Sequence, residues 1–202
     1  MSRPVLTVAT GNQGKLKEIR AYLQDIPVEV RALSDFPKVE EPEETEATFE
    51  GNARLKARYY AKKLGTWVLA DDSGLEVDAL GGAPGVMSAR YAGKQGDDEA
   101  NNAKLLRELA ELPEEKRTAR FRCALCITGD GLPGGEQVFF GVIEGRILLE
   151  RRGEGGFGYD PLFFHPDIGQ TTAEIPLAEK NKLSHRGKAL RQLTEYLARV
   201  LG

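Results

Sequence analysis

Residues 5–9, Val-Leu-Thr-Val-Ala, form a nearly unbroken apolar run of strand length, and the period then changes. Leu16, Ile19 and Leu23 recur at helical spacing until Pro27, which predicts a strand feeding an amphipathic helix. Residues 28–32 are a short strand candidate. After an acidic, proline-punctuated stretch, Phe49, Ala53, Ala57, Tyr60, Ala61 and Leu64 share one helical face, and Gly65 suits the residue that closes such a helix. Residues 67–70, Trp-Val-Leu-Ala, read as a short strand ending at Asp71-Asp72-Ser73-Gly74, which is good turn chemistry. Residues 79–96 are Gly-rich and irregular, and a loop of that length in a compact domain is usually functional or mobile. Asp97 or Asp98 can cap a helix carrying Leu105, Leu106, Leu109 and Leu112. A strand around Phe121, a turn over 130–135 and a return arm over 138–143 suggest a hairpin. Residues 162–164 give one more strand. The last helix is the clearest element, with Ala189, Leu190, Leu193, Tyr196, Leu197, Val200 and Leu201 in one stripe from Arg186 onward. Helices alternating with strands, and a hairpin late in the chain, predict an α/β fold with a mixed sheet.

Composition narrows the function classes. With 202 residues and 41% apolar content the chain can bury a substantial core, most simply as one domain over 1–202 with room for two lobes. A net charge of −3 lacks the basic stripe of a nucleic-acid binder. No apolar run approaches a membrane span, and the opening residues show no signal-peptide pattern, so a soluble, cytoplasmic protein is expected. Cys123 and Cys126 form a C-x-x-C, but on a strand residues three apart face opposite ways, which predicts structural thiols rather than a redox or zinc pair.

Four polar clusters carry candidate chemistry. Thr10-Gly11-Asn12-Gln13-Gly14-Lys15 lies between the first strand and the first helix, where backbone N–H groups, a helix dipole and a lysine can hold phosphate. Two residues separate its glycines and Leu16 follows Lys15, so it is not a Walker A loop, and an ordinary strand–turn–helix corner is the plain alternative. Asp71 and Asp72 repel each other and require positive compensation; magnesium is one solution, a solvated turn the other. The acidic run Glu40-Glu41-Pro42-Glu43-Glu44 either solvates a helix N-terminus or lends one glutamate to a metal beside Asp72. Residues 153–161, Gly-Glu-Gly-Gly-Phe-Gly-Tyr-Asp-Pro, can present Phe157 to a flat ring or simply turn the chain into a strand. Residues 179–187 are read as opening the last helix, with Ser184 as its cap. That puts His185 and Arg186 in a first turn where basic groups oppose the dipole, so a ligand or partner anion is expected there.

Taken in order, these stretches resemble the inosine/xanthosine triphosphate pyrophosphatases, a family of house-cleaning nucleotide hydrolases. The matching segments are Thr10-Gly11-Asn12 with Lys15, Glu43-Glu44-Thr45 with Thr48-Phe49 and Asn52-Ala53, Ala70-Asp71-Asp72-Ser73-Gly74-Leu75, Leu80-Gly81-Gly82-Ala83-Pro84-Gly85, Ser88-Ala89-Arg90-Tyr91, Gly155-Gly156-Phe157-Gly158-Tyr159-Asp160-Pro161 and Ser184-His185-Arg186. Each is weak alone; together they span nearly the whole chain and are specific.

The resemblance implies an elongated mixed β-sheet with flanking helices, two lobes around a central nucleotide cleft, a homodimer and a Mg2+ cofactor. The implied reaction cleaves ITP, dITP or XTP between the α- and β-phosphates, giving a nucleoside monophosphate and pyrophosphate. On this pattern Thr10, Gly11, Asn12, Gln13, Gly14 and Lys15 take the triphosphate, with Lys180 as a second positive contact and Ser73 close by. Asp72 and Glu43 hold magnesium, and Asp72 also orients or deprotonates the attacking water. Phe157, in the stretch Phe157-Gly158-Tyr159-Asp160, stacks on the purine, while His185 and Arg186 reach its edge. Arginine has only donors, which suits a 6-oxo purine and leaves adenine's amino group facing another donor. No covalent nucleophile is evident, so direct attack by water is expected. A phosphotransferase or a nucleotide sensor using the same loop are the competing readings.

Overall fold

The computed structural model describes residues 3–202. In chain order the regular elements are β1 (Val5–Ala9), α1 (Gln13–Leu23), β2 (Glu29–Ala32), α2 (Phe49–Leu64), β3 (Trp67–Val77), α3 (Asp98–Leu109), β4 (Thr118–Thr128), β5 (Gln137–Ile147), β6 (Phe163–His165), β7 (Gln170–Thr171), α4 (Leu177–Leu183) and α5 (His185–Leu201). The strands make one seven-stranded sheet in the order β2-β1-β3-β4-β5-β6-β7. β1 runs parallel to both neighbours, with Val8 opposite Ala32 on one side and Leu69 on the other. Parallel pairs need a crossover, and α1 and α2 supply the helices of those connections. The β5–β6 and β6–β7 pairs are antiparallel, so the sheet is mixed as the sequence predicts.

Helix ends follow local chemistry. Asn12 caps α1 by accepting the Lys15 amide at 3.0 Å, and Thr48 caps α2 by accepting the Gly51 amide at 3.0 Å. Gly65 closes α2 with φ of 64°, a left-handed conformation that favours glycine.

Contacts divide the chain into two compact units. One holds residues 3–72, 123–141 and 186–202; the other holds 73–122 and 142–185. The first has its own core, in which Leu16, Ile19 and Leu23 of α1 and Leu190, Leu193 and Leu197 of α5 pack with Leu6, Val8, Leu69, Leu125 and Ile127 of the strands. The second is built from Leu75, Val77, Leu105, Leu109, Phe121, Ile147, Tyr159, Leu162 and Phe163.

Two sequence expectations need correction here. The irregular stretch over 79–96 contains 3-10 turns at Asp78–Leu80 and Gly85–Arg90. Residues 179–183 belong to a separate short helix, α4, which ends at Leu183. The last helix, α5, begins at His185 with Ser184 just before it, so the expected cap position and the placement of His185 and Arg186 in the first turn hold. Ser184 between them is extended, with ψ of 159°. Both cysteines are buried and free, as the strand reading predicts.

Leu125 is fully buried in the first core. Leu125→Ala should therefore cost about 2–5 kcal/mol of unfolding free energy, measured by urea denaturation. A loss under about 0.5 kcal/mol would match a surface substitution and contradict this packing.

Candidate active site

β3 does not end at Ala70. It continues through Asp71, Asp72, Ser73 and Gly74 to Val77, so both aspartates sit inside a strand rather than in a turn. Turn chemistry loses because each buried carboxylate is met by cations from helices. Lys15 Nζ of α1 lies 2.5 Å from Asp71 Oδ1, and Arg186 Nε of α5 lies 2.8 Å from Asp71 Oδ2. The Cys123 thiol donates to the same Oδ2 at 3.3 Å. Arg186 Nη1 in turn meets Glu18 Oε2 of α1 at 2.5 Å. Lys15, Asp71, Arg186 and Glu18 thus form an alternating chain of two cations and two anions. Burial pushes the Asp71 carboxyl up, but the Arg186 guanidinium and the Lys15 ammonium overcome it and hold the group well below the usual carboxylate range. Burial likewise disfavours the Arg186 cation, and Asp71 and Glu18 more than offset it.

The second aspartate has a different setting. Asp72 Oδ1 accepts from Lys56 Nζ of α2 at 2.9 Å, and the same ammonium reaches Glu44 Oε1 at 2.8 Å and the Asp71 carbonyl at 2.9 Å. Asp72 Oδ2 is buried and makes no hydrogen bond among the described residues. Burial pushes the Asp72 carboxyl up, with Lys56 only partly offsetting it. Glu44, and not the expected Glu43, is the glutamate brought beside Asp72; Glu43 is exposed. Asn52 holds the acidic run against α2, its Oδ1 accepting the Glu46 amide at 3.0 Å.

Two carboxylates around one ammonium, with a buried oxygen left over, suit a divalent cation. Among the described residues no group of three or more acids, histidines or cysteines is poised as a complete protein cage. The phosphate-loop candidate keeps backbone donors unspent, although its Lys15 ammonium is paired with Asp71. Asn12 and Lys15 amides are used by Thr10 Oγ1 and Asn12 Oδ1, while those of Gly11, Gln13 and Gly14 meet no acceptor among the described residues.

The second unit holds the aromatic cluster. Phe157 is half-buried, and Lys180 Nζ lies 4.6 Å from its ring centroid. Lys180 is buried and pairs with Asp160 Oδ2 at 2.8 Å, and that oxygen also accepts the Phe157 amide at 3.0 Å. The structure therefore ties Lys180 to the aromatic loop through Asp160. The Tyr159 ring is in the second core with its hydroxyl donating to the Ser88 carbonyl at 2.7 Å. Ser73 follows Asp72 on β3 and is half-buried. His185 stacks on Phe121 with centroids 4.8 Å apart and planes at 14°. Arg186, by contrast, is a buried member of the alternating charge chain in the first unit, and Asp71 and Glu18 are the partner anions its sequence position called for.

Comparison with known proteins fits this arrangement. A model of the Ham1 family matches residues 6–196. The chain belongs to the Ham1 family. Among curated relatives, this Ham1 chain is 54% identical over 193 residues to the dITP/XTP pyrophosphatase of Geobacter sulfurreducens, covering 95% of this chain and 96% of that one. It is 50% identical over 193 residues to the dITP/XTP pyrophosphatase of Bacillus cereus, covering 94% and 93%. The Ham1 protein of Staphylococcus aureus superposes with a TM-score of 0.85 at 40% identity, covering 97% of this chain and 99% of that one. A HAM1 protein of Coxiella burnetii gives 0.87 at 41% identity, with 97% and 99% covered.

Sequence reasoning missed Lys56 and Glu18. Lys56 lies on an otherwise apolar helix face beside Ala53, Ala57 and Tyr60, while Glu18 lies one turn after Lys15 on α1. A charge on a buried stripe is the signal that identifies Lys56.

Asp71→Asn should cost about 3–5 kcal/mol near neutral pH, because it leaves two buried cations short of an anion. The folded carboxyl is held low, so its stabilisation is complete above its unfolded value of about 3.9 and is lost as the pH falls through the folded one. Urea titrations of both proteins should show the gap shrinking below about pH 4. A gap that does not change on acidification would remove Asp71 ionisation as its source.

Proposed function

We propose that this Ham1 protein hydrolyses deaminated purine nucleoside triphosphates, ITP, dITP and XTP, to the nucleoside monophosphate and pyrophosphate, clearing them from the nucleotide pool. The observation that carries the reading is Asp72: a buried strand carboxylate with one oxygen unspent, sharing Lys56 with Glu44. The names of the relatives point to the same substrates. Because the family match runs through both units, from residue 6 to 196, we read the chain as one catalytic domain. The same reading makes it a homodimer working in the cytoplasm, where the nucleotide pool is, and gives it no nucleic-acid or membrane partner. Among the described residues no helix is long and apolar enough to cross a membrane.

In this mechanism Thr10, Asn12, the amides of Gly11, Gln13 and Gly14, and Lys15 receive the phosphate chain, with Ser73 contributing from β3. Asp72 and Glu44 would hold magnesium, with Glu43 as the alternative from the sequence pattern. Magnesium bound there supplies charge neutralisation for the phosphate oxygens. Asp72 also orients the attacking water and accepts its proton. Pyrophosphate leaves directly, without a covalent intermediate. Phe157, framed by Gly158, Tyr159 and Asp160 and backed by Lys180, stacks on the purine. His185 and Arg186 donate to its 6-oxo edge, the guanidinium held in a fixed pose by Asp71 and Glu18.

With ITP and magnesium the products should be IMP and pyrophosphate; IDP and orthophosphate would overturn the mechanism. Asp72→Asn should lower kcat by about two to four orders of magnitude with the fold intact by circular dichroism. Glu44→Gln should weaken manganese binding, read by electron paramagnetic resonance, more than Glu43→Gln. The reverse order restores Glu43 as the ligand.

Base choice gives an independent check. His185→Ala and Arg186→Ala should each lower kcat/KM for ITP more than for ATP, narrowing the ratio by about 1–3 kcal/mol per lost hydrogen bond. If both nucleotides fall by one factor in both variants, the base edge is read by other residues.

A further inference from the structure

Phe157 can serve as a stacking surface only if its short loop is held still, and α3 provides the means. The residue after it, Gly158, has φ of 61° and a backbone held at both of its polar groups. Its amide donates to Asp98 Oδ2 at 2.7 Å, and its carbonyl accepts from Asn102 Nδ2 at 2.8 Å. Asp98 and Asn102 lie one turn apart on α3, so one helix face meets both groups. The Asn102 amide also donates to the Asp98 carbonyl at 2.8 Å, which fixes its own rotamer.

The Asn102 side chain accepts a cost in doing so. It is buried, and its Oδ1 finds no hydrogen-bond partner among the described residues. An apolar side chain would pack α3 without that orphaned oxygen. What only the carboxamide offers is its pair of donations. The neighbouring Asp97 does the ordinary structural work of the helix start, accepting the Ala100 amide at 3.1 Å. Asp98 is therefore left for Gly158.

We propose that Asp98 and Asn102 are positioning residues for base recognition, clamping Gly158 so that Phe157 is presented to the purine in one pose. This deepens the pyrophosphatase reading and rests on it for the identity of the ligand. Without the clamp the loop must be ordered when the nucleotide binds, so affinity falls while the chemical step is unaffected.

The test compares Asp98→Ala, Asn102→Ala, Asp98→Asn and Asp97→Ala with the parent protein. Asp98→Ala and Asn102→Ala should raise KM for ITP about tenfold with kcat within about twofold. Inorganic tripolyphosphate, which has no base, should inhibit all four variants with an unchanged constant. Asp98→Asn keeps an acceptor for the Gly158 amide and should restore KM to within about threefold of the parent. Asp97→Ala should lower Tm by destabilising α3 and leave KM alone. A KM that follows Tm across the set, or a tripolyphosphate constant that rises along with KM, overturns the proposal. Hydrogen exchange over residues 155–160 separates its failure from that of the parent reading. Protein that hydrolyses no purine triphosphate removes the activity, whereas equal exchange in Asp98→Ala and the parent removes the clamp.

Discussion

A fully buried carboxylate in the middle of a β-strand is the constraint around which the first unit is arranged. Asp71 cannot keep its charge without compensation, and desolvation costs several kcal/mol per buried ion unless geometry and hydrogen bonds repay it. Here the compensation comes from two helices far apart in sequence, Lys15 on α1 and Arg186 on α5. Glu18 then balances the guanidinium from the same helix that carries Lys15. The consequence is positional: the loop before α1, the strand carrying Asp72 and the start of α5 are registered to one another by charge as well as by apolar packing.

The second unit repeats the principle on a smaller scale. Asp160 and Lys180 are a buried pair, and the Asp160 carboxylate also receives the Phe157 amide. Gly156 is required beside them on two counts. Its φ is +74°, and a Cβ there would fall on the Asp160 carboxylate. The loop's glycine content is thus partly a matter of room for a buried ion, which neither reading of the sequence, ligand approach or a wide turn, anticipated.

Most of the architecture was legible because periodicity is local. The stripes of α1, α2 and α5, the caps at Asn12 and Thr48, and the mixed α/β class all follow from neighbours within a few residues. The errors arose where long-range compensation overrode local preference. Asp71-Asp72-Ser73-Gly74 has turn propensity, yet Lys15, Lys56 and Arg186 make it strand. Ser184 stands just before the last helix as expected, yet residues 179–183 ahead of it form a helix of their own, α4. For the candidate site, residue types and their order were readable, while the pairings were not. Glu44 against Glu43, and Lys180 on Asp160, depend on which side chains the fold brings within 3 Å of each other.

The alternating chain of Lys15, Asp71, Arg186 and Glu18 also shapes how such a sequence can drift. Losing one member strands an opposite charge in the interior, and no single further substitution elsewhere in the quartet restores both neutrality and geometry. The energetic effects at these positions are coupled rather than additive. Across diverging lineages the four should therefore persist or be replaced as a group, with apolar sets of matching volume as the accessible exit. Positions on the exposed helix faces a turn away are under no such joint restriction.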